Sequence, residues 1–272
     1  MKKEKIAFIG AGAMAEAILE GLTKTNRWHP SEITVKNRNN NERLKALQDK
    51  YGVTGVNAID DAIKDAGIII LAVKPKDALY AVKGLAPFIN KEQLLISVMA
   101  GISTEKITEW IAKKNPVIRA MPNTSASIGH SATALSKGAY ASETHVQTSI
   151  ELFKTIGTVT HVAEEKLHIV TGLSGSGPAY VYYIAEAMQK AAEELNLSHE
   201  EAKTLISQTL LGASLMLKHT TESPISLRKK VTSPGGTTEA GIDKLDQYHV
   251  QDAFSACIKR AVKRSEELGN IH

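Results

Sequence analysis

The sequence predicts an α/β fold: a doubly wound parallel sheet in the first part of the chain, followed by an all-α C-terminal domain. Three observations predict it. Lys5-Ile6-Ala7-Phe8-Ile9 reads as a buried strand and runs directly into Gly10-Ala11-Gly12-Ala13-Met14-Ala15, a Gly-x-Gly-x-x-Ala turn that opens a helix. Apolar runs then alternate with helical patterns up to about residue 163. From Glu164 the periodicity is helical, so the expected division is 1–163 and 164–272.

In the opening turn each small residue has a task. Gly10 lets the chain turn tightly off the strand, Gly12 lets the backbone approach a pyrophosphate, and Ala15 lets helix and strand pack closely. Phosphates would rest on the free N–H groups and positive dipole end of the helix. This is the pattern of an N-terminal Rossmann-type, dinucleotide-binding domain. Met1-Lys2-Lys3 ahead of an apolar run also resembles the start of a short signal peptide. Glu4, Glu16 and Glu20 break the apolar character, which sets that reading aside.

Composition bounds the rest. A chain of 272 residues with 43% hydrophobic and 23% charged residues has the profile of a soluble globular protein large enough for two domains. No run approaches the length of a membrane span, so no membrane partner is expected. The net charge of +4 suits phosphorylated or carboxylate ligands and is too small to argue for nucleic acid. A single cysteine, Cys257, allows no intrachain disulfide, in keeping with a cytoplasmic location. It falls in the helical pattern Phe254 to Ile258, where a packed thiol is expected.

The first helix is expected from Ala13 to Lys24, with Met14, Ile18 and Leu22 facing the sheet. Ile33-Thr34-Val35 is the second strand. An NAD-binding chain would place Asp or Glu near its end for the ribose 2′-hydroxyl. Here the chain reads Lys36-Asn37-Arg38-Asn39-Asn40, with Arg43 following in the next helix. Guanidinium and amide groups without a carboxylate favour a 2′-phosphate, hence NADPH, over a merely polar turn. Thr54-Gly55-Val56 is a short strand that leads to Asn57, placed to touch the adenine side. Ile68 to Ala72 is a central strand, and Val73-Lys74-Pro75 follows at the carboxyl edge, where ligands of such sheets bind. Lys74 is therefore a candidate ligand residue. Leu94 to Met99 leads into Ala100-Gly101, and Pro116 to Ala120 leads into Met121-Pro122-Asn123-Thr124. A last pair around Ala132–Leu135 and Thr158–Val162, with a helix between, completes the sheet.

In the second half, Thr171 to Tyr180 leads into a long helix reaching about Leu195, with Pro178 in its first turn. Ser198-His199-Glu200-Glu201 is a capping-box start for another. That helix is apolar round much of its circumference through Leu217, which implies burial against a second copy of the chain. Val231-Thr232-Ser233-Pro234-Gly235-Gly236-Thr237-Thr238 then opens a helix running through Leu245. Such a turn is either a nest of N–H donors for an anion or a loop with a Thr cap.

Standard catalytic apparatus is missing. No His-Glu-x-x-His or Cys–His spacing points to a metal, and Ser174 and Ser176 do not form Gly-x-Ser-x-Gly. The β-hydroxyacid dehydrogenases carry a catalytic Lys after a Gly-x-x-Gly-x-Gly turn. The turn is present as Gly172, Gly175 and Gly177, but the slot of the lysine holds Val181. An alcohol or ketone needs a proton moved at oxygen, whereas a protonated imine already carries the charge that accepts hydride.

At this point the chain resembles the pyrroline-5-carboxylate reductase family. The likeness is most specific over Val231 to Ile242, and Ile9 to Gly12, Ala72 to Pro75, Met121 to Thr124 and Gly175 to Tyr180 match in order. The resemblance implies reduction of a cyclic imine to L-proline, the last step of proline synthesis. NADPH is the expected reductant and NADH a second one. It also implies a helical dimerisation domain and a homodimer, or an assembly of dimers, with sites shared between subunits. For the cofactor it implies Gly10, Ala11, Gly12, Ala13, Met14 and Ala15 at the pyrophosphate and Asn57 on the adenosine side, beside the Asn37, Arg38 and Asn39 already read for the 2′-phosphate. Ala72, Val73, Lys74, Pro75, Ala100 and Gly101 line the nicotinamide end, and Lys230 faces the cofactor across the subunit interface. Substrate contacts are Met121, Asn123, Ser176, Ser233, Gly235, Gly236, Thr237 and Thr238, with Thr238 and Lys74 as catalytic residues. Ala13, Ser125 and Lys230 depart from the family pattern, in which Asn, Pro and Asn are frequent. Two alternatives stay open at this level: a reductase of a related cyclic imine carboxylate, and a catalytically silent NADP-binding regulatory protein.

Overall fold

Alternate residues of the first strand, β1 (Lys5–Ile9), belong to different cores. Ile6 and Phe8 pack with the first helix, α1 (Ala13–Lys24), while Ala7 and Ile9 pack on the opposite face. A strand covered on both sides must be apolar throughout, hence the unbroken run in its sequence. The computed structural model describes residues 5–25 and 28–270. Met1 to Glu4, where the signal-peptide pattern begins, lie outside the described residues. On α1, Ile18 and Leu22 are fully buried and Met14 packs against the same core, as the helical spacing predicts.

Strands and helices then alternate. β2 (Ile33–Lys36), α2 (Asn41–Tyr51), β3 (Thr54–Val56), α3 (Ile59–Ile63) and β4 (Ala66–Leu71) complete the first half of the winding. α4 (Ala78–Leu85), β5 (Leu94–Ser97), α5 (Thr104–Ile111) and β6 (Val117–Met121) follow. β7 (Ser131–Lys137), α6 (Glu143–Phe153) and β8 (Gly157–His161) close the sheet, whose order is β3-β2-β1-β4-β5-β6-β7-β8. The first six strands are parallel, in the doubly wound architecture expected from the sequence. β7 is antiparallel to β6, because residues 122–130 are too short for the crossover a parallel neighbour needs. Register aligns Lys36, Ile9, Leu71 and Ser97 along the carboxyl edge.

Helices make up the remainder: α7 (Leu167–Val170), a π-turn over Thr171–Gly175, α8 (Gly177–Glu194), α9 (His199–His219), α10 (Pro224–Lys230), α11 (Thr237–Gln247) and α12 (Val250–Asn270). The compact units do not divide at 163/164. The sheet unit runs to Ser176 and takes back the chain from Arg260, leaving Gly177–Lys259 as the helical unit. Long-range bonds cause this. Glu164 accepts from the Thr104 amide at 2.8 Å and lies 3.4 Å from Arg119, which is buried on β6. His168 Nδ1 bonds the Ser265 hydroxyl at 2.9 Å, and Lys106 donates to the Gly269 carbonyl at 2.6 Å.

Within the helical unit, Ser198 and Glu201 form the expected capping box, and Pro178 lies in the first turn of α8. α8 has no buried residue and α9 only Ala202, so Tyr182, Tyr183, Leu205, Leu211 and Met216 are exposed. Cys257 is also exposed rather than packed.

Candidate functional site

The strand order reverses between β1 and β4, and there a cleft of about 550 Å³ opens at the carboxyl edge. Its floor is the turn after β1. The Gly10 amide donates to the Lys36 carbonyl and the Ala72 amide to the Ile9 carbonyl, each at 2.9 Å. Gly10 has φ +112°, and a Cβ there would lie 2.5 Å from the Ala72 carbonyl oxygen, so only glycine fits. Gly12 is the N-cap of α1 without a side-chain cap, and a Cβ on it would meet nothing within 4 Å. The first N–H groups of α1 lack intrahelical acceptors and face this open space.

The walls are cationic. Lys36, Arg38, Arg43, Lys74 and Lys76 line the cleft against a single carboxylate, Asp77. Burial and the charge of Arg38 push the half-buried Lys36 ammonium below its ordinary pKa. A polyanion in the cleft would relieve this crowding.

The two arginines differ. Arg43 donates through Nε to the Ala11 carbonyl at 2.9 Å and through Nη2 to Glu16 at 2.5 Å. Arg43 lines the cleft and at the same time ties α2 to the Gly-rich turn. The Arg38 side chain donates to no acceptor among the described residues, and its guanidinium lies 4.7 Å from the centroid of the Tyr80 ring.

Of the cofactor residues expected from the sequence, Gly10, Ala11, Gly12, Asn37, Arg38, Ala72, Val73 and Lys74 line the cleft. Ala13, Met14 and Ala15 form the first turn of α1, where Ala15 is fully buried against the sheet. Asn39, Asn57, Pro75, Ala100 and Gly101 are not among its lining residues. Asn57 is exposed just after β3, and Gly101 packs beneath Gly269. Lys76 and Tyr80 were missed by sequence reasoning. The available signal was their position directly after the Val73-Lys74-Pro75 edge, with Lys76 in the short 3-10 turn Pro75–Asp77 and Tyr80 in the first turn of α4.

Met121, Asn123 and Ser176 are brought together within the sheet unit. Asn123 Nδ2 donates to the Ser174 carbonyl at 3.0 Å, and a Cβ on Gly175 would lie 3.0 Å from the Met121 methyl. Asn123 thus fixes the π-turn, a helix irregularity that recurs at functional sites. The Ser174 hydroxyl bonds back to the Val170 carbonyl, a structural role, whereas the Ser176 hydroxyl has no partner among the described residues.

In the helical unit, Gly235 has φ +70° and Gly236 is the N-cap of α11, again with no side-chain cap. Thr237 and Thr238 are its first two residues and Ser233 precedes the turn, all three exposed. The Thr cap left open by the sequence is therefore not how this helix begins. Gly235 N–H donates to the Glu239 carboxylate at 2.7 Å, so the turn already holds one carboxylate of its own chain. Lys230 is ion-paired with Glu222 at 2.6 Å, and this bond holds the Glu222 carboxyl below its usual range.

The fit to a dinucleotide rests on this geometry: a glycine turn with a clear approach at Gly12, a helix N-terminus and a cationic wall. Comparisons with known proteins agree. A sequence model of the family described as "Pyrroline-5-carboxylate reductase dimerisation" matches residues 164–268, and one described as "NADP oxidoreductase coenzyme F420-dependent" matches residues 5–101. Pyrroline-5-carboxylate reductase 2 of Bacillus subtilis is 45% identical over 97% of this chain and 95% of that protein. The solved pyrroline-5-carboxylate reductase of Coxiella burnetii superposes with a TM-score of 0.91 at 36% identity, covering 97% of this chain and 98% of the other. That of Plasmodium falciparum, solved with NADP bound, gives 0.89 at 25% identity, covering 99% of each chain. By this similarity along nearly its whole length, the chain belongs to the pyrroline-5-carboxylate reductase family.

Proposed function

We propose that this protein reduces 1-pyrroline-5-carboxylate to L-proline, the last step of proline biosynthesis, with NADPH preferred and NADH accepted. The observation that carries the reading is the cationic, glycine-floored cleft at the strand-order reversal in a chain of this family. When bound, the cofactor supplies the hydride.

The chain's own residues bind, orient and exclude water. Gly10 to Ala15 hold the pyrophosphate at the N-terminus of α1. Arg38, with Asn37 and Asn39, receives the 2′-phosphate, and Asn57 the adenosine side. Ala72 to Pro75, Ala100 and Gly101 serve the nicotinamide end, where Lys74 is a candidate catalytic residue, and Lys230 faces the cofactor across the subunit interface. Met121, Asn123, Ser176, Ser233 and the Gly235–Thr238 turn hold the substrate, with its carboxylate on the turn. The Thr238 hydroxyl orients the imine nitrogen. A protonated imine needs no further acid at the carbon that takes hydride, which accords with the missing lysine at Val181.

As a functional division, distinct from the compact units, residues 1–163 serve the cofactor in this reading and 164–272 dimerisation and the substrate, in a cytoplasmic homodimer or assembly of dimers. No helix among the described residues is long and apolar enough to cross a membrane. Neither a membrane nor nucleic acid is assigned as a partner.

Steady-state reduction of the five-membered imine carboxylate beside its six-membered homologue, with each reductant, tests the proposal. A higher kcat/KM for the five-membered ring supports it. Preference for the larger ring reassigns the substrate, and no turnover of either leaves a cofactor-binding protein without this activity.

A further inference from the structure

We propose that Tyr80 is a positioning residue for cofactor selection. Its ring carries the Arg38 guanidinium by one face and leaves the N–H edges free for the phosphate that distinguishes NADPH from NADH. The inference rests on the reading of Arg38 given above and deepens it.

The Arg38 guanidinium carbon lies 4.7 Å from the centroid of the Tyr80 ring, and both residues line the cleft. A guanidinium stacked on an aromatic face keeps its planar fork of donors in the plane of the group, available to a phosphate. None of these donors has an acceptor among the described residues, whereas Arg43, in the same cleft, commits Nε to Ala11 and Nη2 to Glu16. Arg38 is thus the arginine of the cleft that keeps its whole fork for a ligand.

It needs a support. Lys36 and Lys76 line the same cleft, and like charges repel Arg38 toward solvent. Tyr80 offsets that repulsion without offering a carboxylate that would compete with the ligand. The ring is 66% exposed, so core packing does not account for it. It also joins the segment after β2 to α4 from the other side of the cleft.

Dissociation constants of NADP⁺ and NAD⁺, measured calorimetrically on the purified protein, test this without reference to turnover. The variants are Tyr80→Ala, Tyr80→Phe, Arg38→Ala and the double substitution Arg38→Ala/Tyr80→Ala. Tyr80→Ala is expected to weaken NADP⁺ by roughly two- to fivefold, the size of an exposed cation–π contact, and to leave NAD⁺ within about twofold. Tyr80→Phe keeps the aromatic face and should match the parent. The double variant should be no worse than Arg38→Ala alone, because Tyr80 acts through Arg38. If Arg38→Ala impairs NADP⁺ selectively and Tyr80→Ala does not, the Tyr80 inference is overturned and the Arg38 reading stands. If Arg38→Ala affects both nucleotides equally, the Arg38 reading fails and the inference with it. Equal loss of both nucleotides in Tyr80→Ala would make Tyr80 a general wall of the cleft and overturn its role in selection.

Discussion

Arg43 Nη2 lies 2.5 Å from the Glu16 carboxylate while its Nε donates to the Ala11 carbonyl, so one guanidinium fastens the Gly-rich turn and the first helix to α2. Glu16 also accepts from Lys50 and from the Tyr51 hydroxyl, each at 3.0 Å. The Arg43 bond, helped by Lys50 and Tyr51 against the opposing effect of burial, holds the Glu16 carboxyl at about 2.

That value fixes a pH window. A carboxyl whose folded pKa lies below its ordinary 4.5 stabilises the protein fully above about pH 4.5 and loses the contribution as pH falls through about 2. Glu16→Gln should lower stability by about 1–2 kcal/mol at pH 7, a charged hydrogen bond discounted for partial exposure. The gap in melting temperature between parent and variant should hold down to pH 5 and close only in stronger acid. A gap that closes between pH 7 and 5 would refute the assignment.

The glycines of the turn should separate stability from binding. Gly10→Ala puts a side chain at φ +112° and against the Ala72 carbonyl. Melting temperature and cofactor affinity should both fall, the strain alone costing about 1–3 kcal/mol. Gly12→Ala meets nothing within 4 Å, so its stability should stay within about 1 kcal/mol of the parent. In the proposed site its Cβ would project into the space for the pyrophosphate, and dinucleotide affinity should drop at least tenfold. Calorimetric binding beside thermal melts checks both, and unchanged affinity in Gly12→Ala would remove the turn from the cofactor site.

Thr238→Ala is expected to cut kcat/KM for the imine by about ten- to a hundredfold, equal to roughly 1.4–2.7 kcal/mol. Melting temperature should scarcely move, since the cap of α11 is Gly236 and the Thr238 hydroxyl bonds no other described residue. Thr238→Ser keeps the hydroxyl and should recover much of the rate. Parent-like turnover by the alanine variant would end the catalytic assignment.

Tyr182, Tyr183, Leu205 and Leu211 on α8 and α9 are exposed, large apolar groups of the kind that mark interaction surfaces. Sedimentation at low micromolar concentration should find a dimer or a multiple of it. An active monomer under those conditions would overturn the oligomer.

The sequence by itself determined whatever depends on neighbours a few residues apart. The apolar run of β1, the Gly-x-Gly turn, the Ser198–Glu201 capping box and Pro178 in the first turn of α8 are short-range devices, each readable from spacing alone. The alternation of strands and helices indicated a doubly wound parallel sheet, and the strand order itself came from the tertiary structure. The sequence already placed Arg38 in the cofactor site. Only the tertiary structure decided what each arginine touches: contacts to Glu16 and Tyr80, distant along the chain, gave Arg43 a structural bond and Arg38 a ring to rest on. Asn123 reads as a ligand contact in the sequence, and the structure adds a bond from its amide to the Ser174 carbonyl, far along the chain. The boundary of the sheet unit moved for the same reason: His168 meets Ser265, and Lys106 meets Gly269, only after the helices of the second half have brought the chain back. Hydrogen-bond donors and acceptors are assigned by proximity in space, and local periodicity carries no record of it.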